Sequence, residues 1–326
     1  MSAAASMPRS KLGRSQLEVT NICFGTSGIG DMPDTYGYSV DEERAKATVR
    51  AIFAGPVNFI DSSRIYGMGR SEQRIGEVIR EMSGLPKGFV VSTKLDRDFT
   101  TNRFDASQAR RSLEASLKAL GIERIHLLHL HDPERAVSLE EATHPNGPIR
   151  ELFKMRDEGF AEAVGLAAGN VDVMMPLMRD WQFDALITHN RFTLVNRNAK
   201  PMIDFAVARG IAVLNAAPYS GGVFAKGTQS FRRYAYQEAN DHTLEPVRRV
   251  EAICARYGIP PGAAALQFSL RDKRISSTIC GVSKPERVNE TLEWATWPIS
   301  ADAWRELLAV PSSMGDPEAD RDYKPG

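Results

Sequence analysis

Cysteine is scarce in this chain, and that scarcity excludes a disulfide scaffold. Cys23, Cys254 and Cys280 are the only three, an odd number, each in apolar or helical context. Buried free thiols in a reducing, cytoplasmic setting are the simple expectation. No His or Cys cluster has metal-ligand spacing, so no metal is expected. No apolar run approaches ~20 residues, which excludes an apolar membrane-spanning helix. Net charge is missing too: 41 basic residues balance 41 acidic ones. A neutral total argues against nucleic acid or an anionic membrane as the main partner. The first residues, Met1 to Arg9, have no apolar signal core and read as a mobile lead-in. No Gly-x-Gly-x-x-Gly run follows the first strand pattern, so a nucleotide, if bound, is not held by a dinucleotide-binding fold.

What the chain does have is alternation. Short apolar strand patterns and helical patterns follow one another from Ile22 to Leu292, eight times. The strands read as 22–26, 59–61, 89–94, 125–131, 163–166, 183–187, 211–214 and 277–280. Asp41 or Ser39, then Ser71 and Asp105, are placed as helix caps, and Gly121 as a helix stop. Eight such units fit a single (β/α)8 TIM barrel domain spanning 1–326. A hairpin over Lys11–Asn21 precedes it, extra C-terminal helices follow, and residues 1–10 and 312–326 are expected to be peripheral or flexible.

Three successive strands end on ionisable side chains: Asp61, Lys94 and His131. In a parallel sheet with neighbours ~4.8 Å apart, these tips lie side by side. The two-residue period gives each a facing set: Phe59 with Asp61, Ser92 with Lys94, Leu127 and His129 with His131. Tyr66 follows in a loop bearing Gly67 and Gly69. A free phenol, with a pKa of ~10, is a poor acid–base group at neutral pH, but a nearby ammonium favours the phenolate. Asp61 can hold Lys94 charged, and His131 can share a hydrogen bond at a substrate oxygen. Such a relay moves a proton at a carbonyl or carbinol; no side chain supplies a hydride, so a nicotinamide cofactor is implied.

Asp61 with Tyr66-Gly67, Ser71-Glu72 and Gly76, then Lys94, then His131-Asp132-Pro133, resembles the aldo-keto reductase signature. The resemblance runs from Phe24-Gly25-Thr26 to Arg287. It implies a hairpin closing the barrel bottom and a catalytic tetrad of Asp61, Tyr66, Lys94 and His131. It also implies cofactor contacts from Gly25, Thr26 and Asp61 and a carboxamide contact from Asn170, one residue later than in the family pattern. His189 or Asn190 stands where the family has glutamine. Ala217, Pro218, Tyr219, Gly221 and Gly222 match the pyrophosphate loop, with Ala216 where many relatives stack a tyrosine. Gly281, Ser283, Lys284, Arg287 and Glu290 match the adenosine clamp, with Thr291 in place of the usual asparagine. The cofactor is NADP or NAD, and Ser283, Lys284 and Arg287 lean the choice to NADP.

The Asn215–Tyr219 loop and the Gly281–Arg287 run look most like the D-threo-aldose 1-dehydrogenase branch, which implies oxidation of an aldose to its lactone. The substrate is then a small sugar or aldehyde. Three alternatives stay open: an aldehyde or ketone reductase or pyridoxal dehydrogenase with the same tetrad, a cofactor-binding regulatory subunit, and a Schiff-base barrel using Lys94. The sequence leaves oligomeric state open.

Overall fold

The computed structural model describes residues 7–321, so the first six and last five residues of the expected peripheral ends lie outside it. Eight parallel strands close into a barrel: Ile22–Gly25, Phe59–Asp61, Val90–Leu95, Ile125–His131, Ala161–Ala167, Ala185–His189, Ala212–Ala216 and Ile275–Gly281. The eighth pairs with both the seventh and the first, which removes every sheet edge. The strands are largely buried on both faces and mostly apolar, with buried polar side chains such as Ser92, Lys94, His129 and Asn215 among them. The faces separate by parity. Cys23, Phe59, Val90 and Leu127 pack inside the barrel, whereas Phe24, Ile60, Val91 and Leu128 pack against the helices. At roughly 25 cal/mol per Å² of apolar area, this two-sided burial is the main stabilising term.

An antiparallel hairpin, Arg9–Lys11 with Glu18–Thr20, precedes the barrel. Leu12, Leu17 and Val19 join the interior cluster, so the hairpin closes the N-terminal end of the strands. That leaves the C-terminal end as the open one, where function sits in this architecture.

Two helix starts follow the sequence reading. Asp41 accepts from the Arg44 N–H, and Asp105 from the Gln108 N–H; Gly121, in the left-handed region, ends the second helix. Ser71 does not cap its helix. Arg70–Glu81 starts from Gly69, whose φ of 96° turns the chain two residues early. The Ser71 hydroxyl instead donates to the Thr26 carbonyl at 2.9 Å and ties the helix to the first barrel strand.

Two segments depart more widely from expectation. After the seventh strand the chain forms a 3-10 turn (Ser220–Gly222), a helical turn (Val223–Lys226) and a two-stranded ribbon, Arg233–Tyr234 with Gln237–Glu238. The tail, read as a loose polar strap, packs as far as Arg321. Ser313 N–H donates to the Val195 carbonyl, Asn196 Nδ2 reaches the Gly315 carbonyl, and Glu318 is only 2 % exposed. Most of the tail faces solvent, but Glu318 enters a buried polar cluster.

Candidate active site

The strand tips deliver their side chains into one place. Lys94 Nζ donates to Asp61 Oδ2 at 2.7 Å and to the Ser62 carbonyl at 2.5 Å. Asp61 Oδ1 accepts from Ser92 Oγ at 2.9 Å. This ion pair is almost wholly withdrawn from water. Tyr66 follows on the loop, with Lys94 Nζ 4.8 Å from its ring centre and the His131 ring 6.1 Å away, edge to face. The loop holds this shape because Gly67, at φ 61°, lies flat against Gly30: a Cβ there would sit 1.8 Å from the Gly30 carbonyl oxygen.

His131 has a partner that the strand-tip argument did not supply. Its Nδ1 lies 2.5 Å from Asp96 Oδ1, and Ser63 Oγ donates to Asp96 Oδ2 at 2.6 Å. Burial opposes charge on the His131 ring, but the Asp132 and Asp96 carboxylates outweigh it and raise its pKa. Asp96 answers in kind: burial works to raise its pKa, yet His131 and Ser63 hold it below the usual range. Asp96 sits two positions beyond Lys94, one residue past the strand end, and that shared parity was the available signal.

The phenol behaves differently from the sequence expectation. Burial pushes the Tyr66 pKa well above its ordinary value, and the Asp61 carboxylate adds to the rise. The ammonium of Lys94 is engaged by Asp61, so the pair presents little net charge to the ring, and desolvation wins. The group is a neutral phenol, a proton donor, at pH 7.

These residues line a cavity of about 540 Å³ that runs from the tetrad to the end of the eighth barrel strand. Of the residues expected to bind a cofactor, Gly25, Thr26, Asp61, His189, Ala217, Tyr219, Gly221, Gly222, Gly281, Ser283, Lys284 and Arg287 line it. Three stand outside its lining. Asn170 caps the helix Val171–Asp180, accepting from the Asp172 and Val173 N–H groups. Glu290 pairs with Arg287 at 2.8 Å, and Pro218 contributes no lining atom. Residues not foreseen line it too: Tyr36, Tyr38, Lys226, Tyr236 and Arg321. They come from short helical turns, connecting loops and the tail, where neither period nor spacing marks a side chain as functional.

The far end of the cavity suits an anion. Ser283, Lys284, Arg287, Lys226 and Arg44 meet there, and Ser283 Oγ accepts from Tyr38 OH at 3.2 Å. Burial, with Arg287 nearby, lowers the Lys226 pKa to about 8. The helix Pro285–Ala295, with Lys284 as its N-cap residue, starts at the same end and brings the positive end of its dipole there. Hydroxyl, ammonium and guanidinium donors are the set that a phosphorylated nucleotide needs. A nicotinamide dinucleotide therefore fits: the clamp would hold its phosphates and the tetrad end its reactive ring.

Among known proteins, the chain is 27 % identical to a pyridoxal 4-dehydrogenase of Microbacterium luteolum, over 91 % of this chain and 95 % of that one. It is 27 % identical to a D-threo-aldose 1-dehydrogenase of a Pseudomonas species, over 89 % and 94 %. An aldo-keto reductase of Bacillus halodurans, solved in its holo form, superposes with a TM-score of 0.77 at 15 % identity, over 97 % of this chain and all of that one, a likeness of fold. The aldo/keto reductase family model matches residues 21–310, the whole barrel and every strand that carries the tetrad, and the chain belongs to that family.

Proposed function

We propose that this oxidoreductase oxidises the anomeric carbinol of a cyclic aldose to the lactone, with Tyr66 as the proton-transfer group. The observation that carries the reading is the half-buried Tyr66 phenol beside the Lys94–Asp61 pair and His131, in one cavity with a cationic clamp at its other end. A bound nicotinamide supplies or accepts the hydride; NADP is favoured over NAD by Ser283, Lys284 and Arg287. Tyr66 takes the carbinol proton in oxidation and returns it to a carbonyl oxygen in reduction. Lys94, locked by Asp61 and the Ser62 carbonyl, keeps the phenol from shifting. His131, oriented by Asp96 through Nδ1, leaves Nε2 for the substrate oxygen. Since burial holds Tyr66 protonated, reduction proceeds at neutral pH and oxidation accelerates as pH rises toward the phenol pKa.

Equal identity to the pyridoxal dehydrogenase supports a second reading, a pyridine aldehyde or its cyclic hemiacetal, on the same machinery. A panel of aldoses, pyridoxal and simple aldehydes, each with both cofactors and followed at the nicotinamide absorbance, separates the two. Tyr66→Phe should lower turnover about 10²–10⁴-fold while cofactor affinity persists. Turnover within a few-fold of wild type would remove Tyr66 from its role. Cofactor binding without turnover of any carbonyl or carbinol would favour a regulatory subunit.

A further inference from the structure

The ribbon after the seventh barrel strand makes an unusual turn. Tyr234 pairs with Gln237, which leaves Ala235 and Tyr236 as a two-residue loop, and both have positive φ, 45° and 69°. Such turns ordinarily use Asn-Gly or Gly-Gly; an alanine followed by a tyrosine is strained there. The surroundings hold the strain in place. Ala235 N–H donates to the Ser220 carbonyl at 3.1 Å, and Arg233 Nη2 donates to the Tyr236 carbonyl at 2.9 Å.

The strained turn delivers the Tyr236 ring to the cavity. The ring meets Tyr36 edge to face at 5.8 Å, and the Arg321 guanidinium lies 4.7 Å over it. Arg321 is in turn fixed by the tail, donating to Glu318 Oε2 at 2.7 Å, while Gln237 Nε2 donates to the Pro317 carbonyl at 3.1 Å. Glu318 Oε1 lies 2.8 Å from His189 Nδ1 and accepts from Asn190 Nδ2 at 2.9 Å and Arg191 Nη1 at 3.1 Å. Three segments distant in sequence thus converge on one ring: the loop after the first barrel strand, the ribbon and the tail.

We propose that Tyr236 is a specificity-determining residue whose ring gives the pocket an aromatic wall for a six-membered ring of the substrate, and that Glu318 is the positioning residue that fixes this wall through Arg321. The inference rests on the oxidoreductase reading and names the substrate feature it selects. An aromatic wall gains contact with the apolar face of a pyranose or with a flat aryl ring, and an open-chain aldehyde offers neither surface.

The test measures kcat and KM for a cyclic aldose, an aryl aldehyde and butanal in the full chain. Tyr236→Gly removes the ring and also relieves the left-handed backbone, and a ratio of kcat/KM values taken on one variant cancels its folded fraction. The ratio of kcat/KM for ring substrate over butanal should fall about two- to tenfold, carried by KM. Tyr236→Phe should keep the ratio. Glu318→Gln should lower it in the same direction, again through KM rather than kcat. A fall for the aldose alone identifies a sugar face as the selected surface, and a fall for the aldehyde alone an aryl face. An unchanged ratio in Tyr236→Gly, with wild-type turnover intact, overturns the inference and leaves the oxidoreductase reading standing. Absence of wild-type turnover on all three overturns both.

Discussion

Replacing Lys94 with methionine tests the buried ion pair directly, because Met fills the space of the aliphatic stem and deletes only the charge. The ammonium sits 2.7 Å from Asp61 Oδ2, with both side chains at most 5 % exposed. Without it, Asp61 keeps the hydrogen bond from Ser92 Oγ and an uncompensated buried charge. Breaking such a pair from one side costs about 3–5 kcal/mol. Unfolding entropy of roughly 2.1 cal/mol/K per residue, over 326 residues, amounts to about 0.7 kcal/mol/K. Lys94→Met should therefore melt about 4–7 °C below wild type. Lys94→Met/Asp61→Asn, which removes both charges, should regain most of that loss and none of the activity. The assay is a thermal melt followed by circular dichroism, with turnover measured alongside. A single variant as stable as wild type would mean the pair is not desolvated. A double variant less stable than the single one would mean that the stranded Asp61 charge is not the source of the loss.

Gly67→Ala forces a methyl against the Gly30 carbonyl oxygen and must displace the loop carrying Tyr66, so kcat should fall on the order of 10²-fold with cofactor affinity less affected, read by steady-state kinetics and a binding titration. Alkaline pH should destabilise the fold: burial pushes Tyr36 up to about 12 and raises Tyr66, Tyr219 and Tyr236 as well, whereas unfolded tyrosine titrates near ~10. The unfolded chain then loses protons first, so stability is full below about pH 10 and is lost as pH rises through the folded values. Urea midpoints at several pH values across that window check the sign; a midpoint that rises refutes it. Lys284→Ala with Arg287→Ala should weaken NADP at least tenfold more than NAD, since each charged hydrogen bond to a phosphate contributes about 1.5–3 kcal/mol. Equal dissociation constants in a fluorescence titration would place the 2′-phosphate elsewhere.

The barrel and its tetrad were legible because both rest on local regularities. A two-residue period fixes which side chains face inward, and Asp61, Lys94 and His131 lie at or next to strand ends, where a two-residue stagger at each step (Asp61 opposite Ser92, Lys94 opposite His129) keeps them on one face. What surrounds them was not legible. The Tyr66 pKa depends on how much water the folded loops exclude and on whether the Lys94 charge is already engaged, and neither is a property of a motif. Asn170 matched a family position, yet the fold uses its side chain as a helix cap. The tail read as peripheral or flexible because polar sequence is ordinarily solvated. Glu318 is buried since His189, Asn190 and Arg191 lie about 130 residues earlier, and their donors converge only when the barrel closes. Tyr236 reaches the cavity through a turn that its own residues disfavour, and contacts formed only in the folded chain hold it there. Sequence determined the scaffold and the position of Tyr66; tertiary structure decided the direction in which its pKa moves and the shape of the wall facing it.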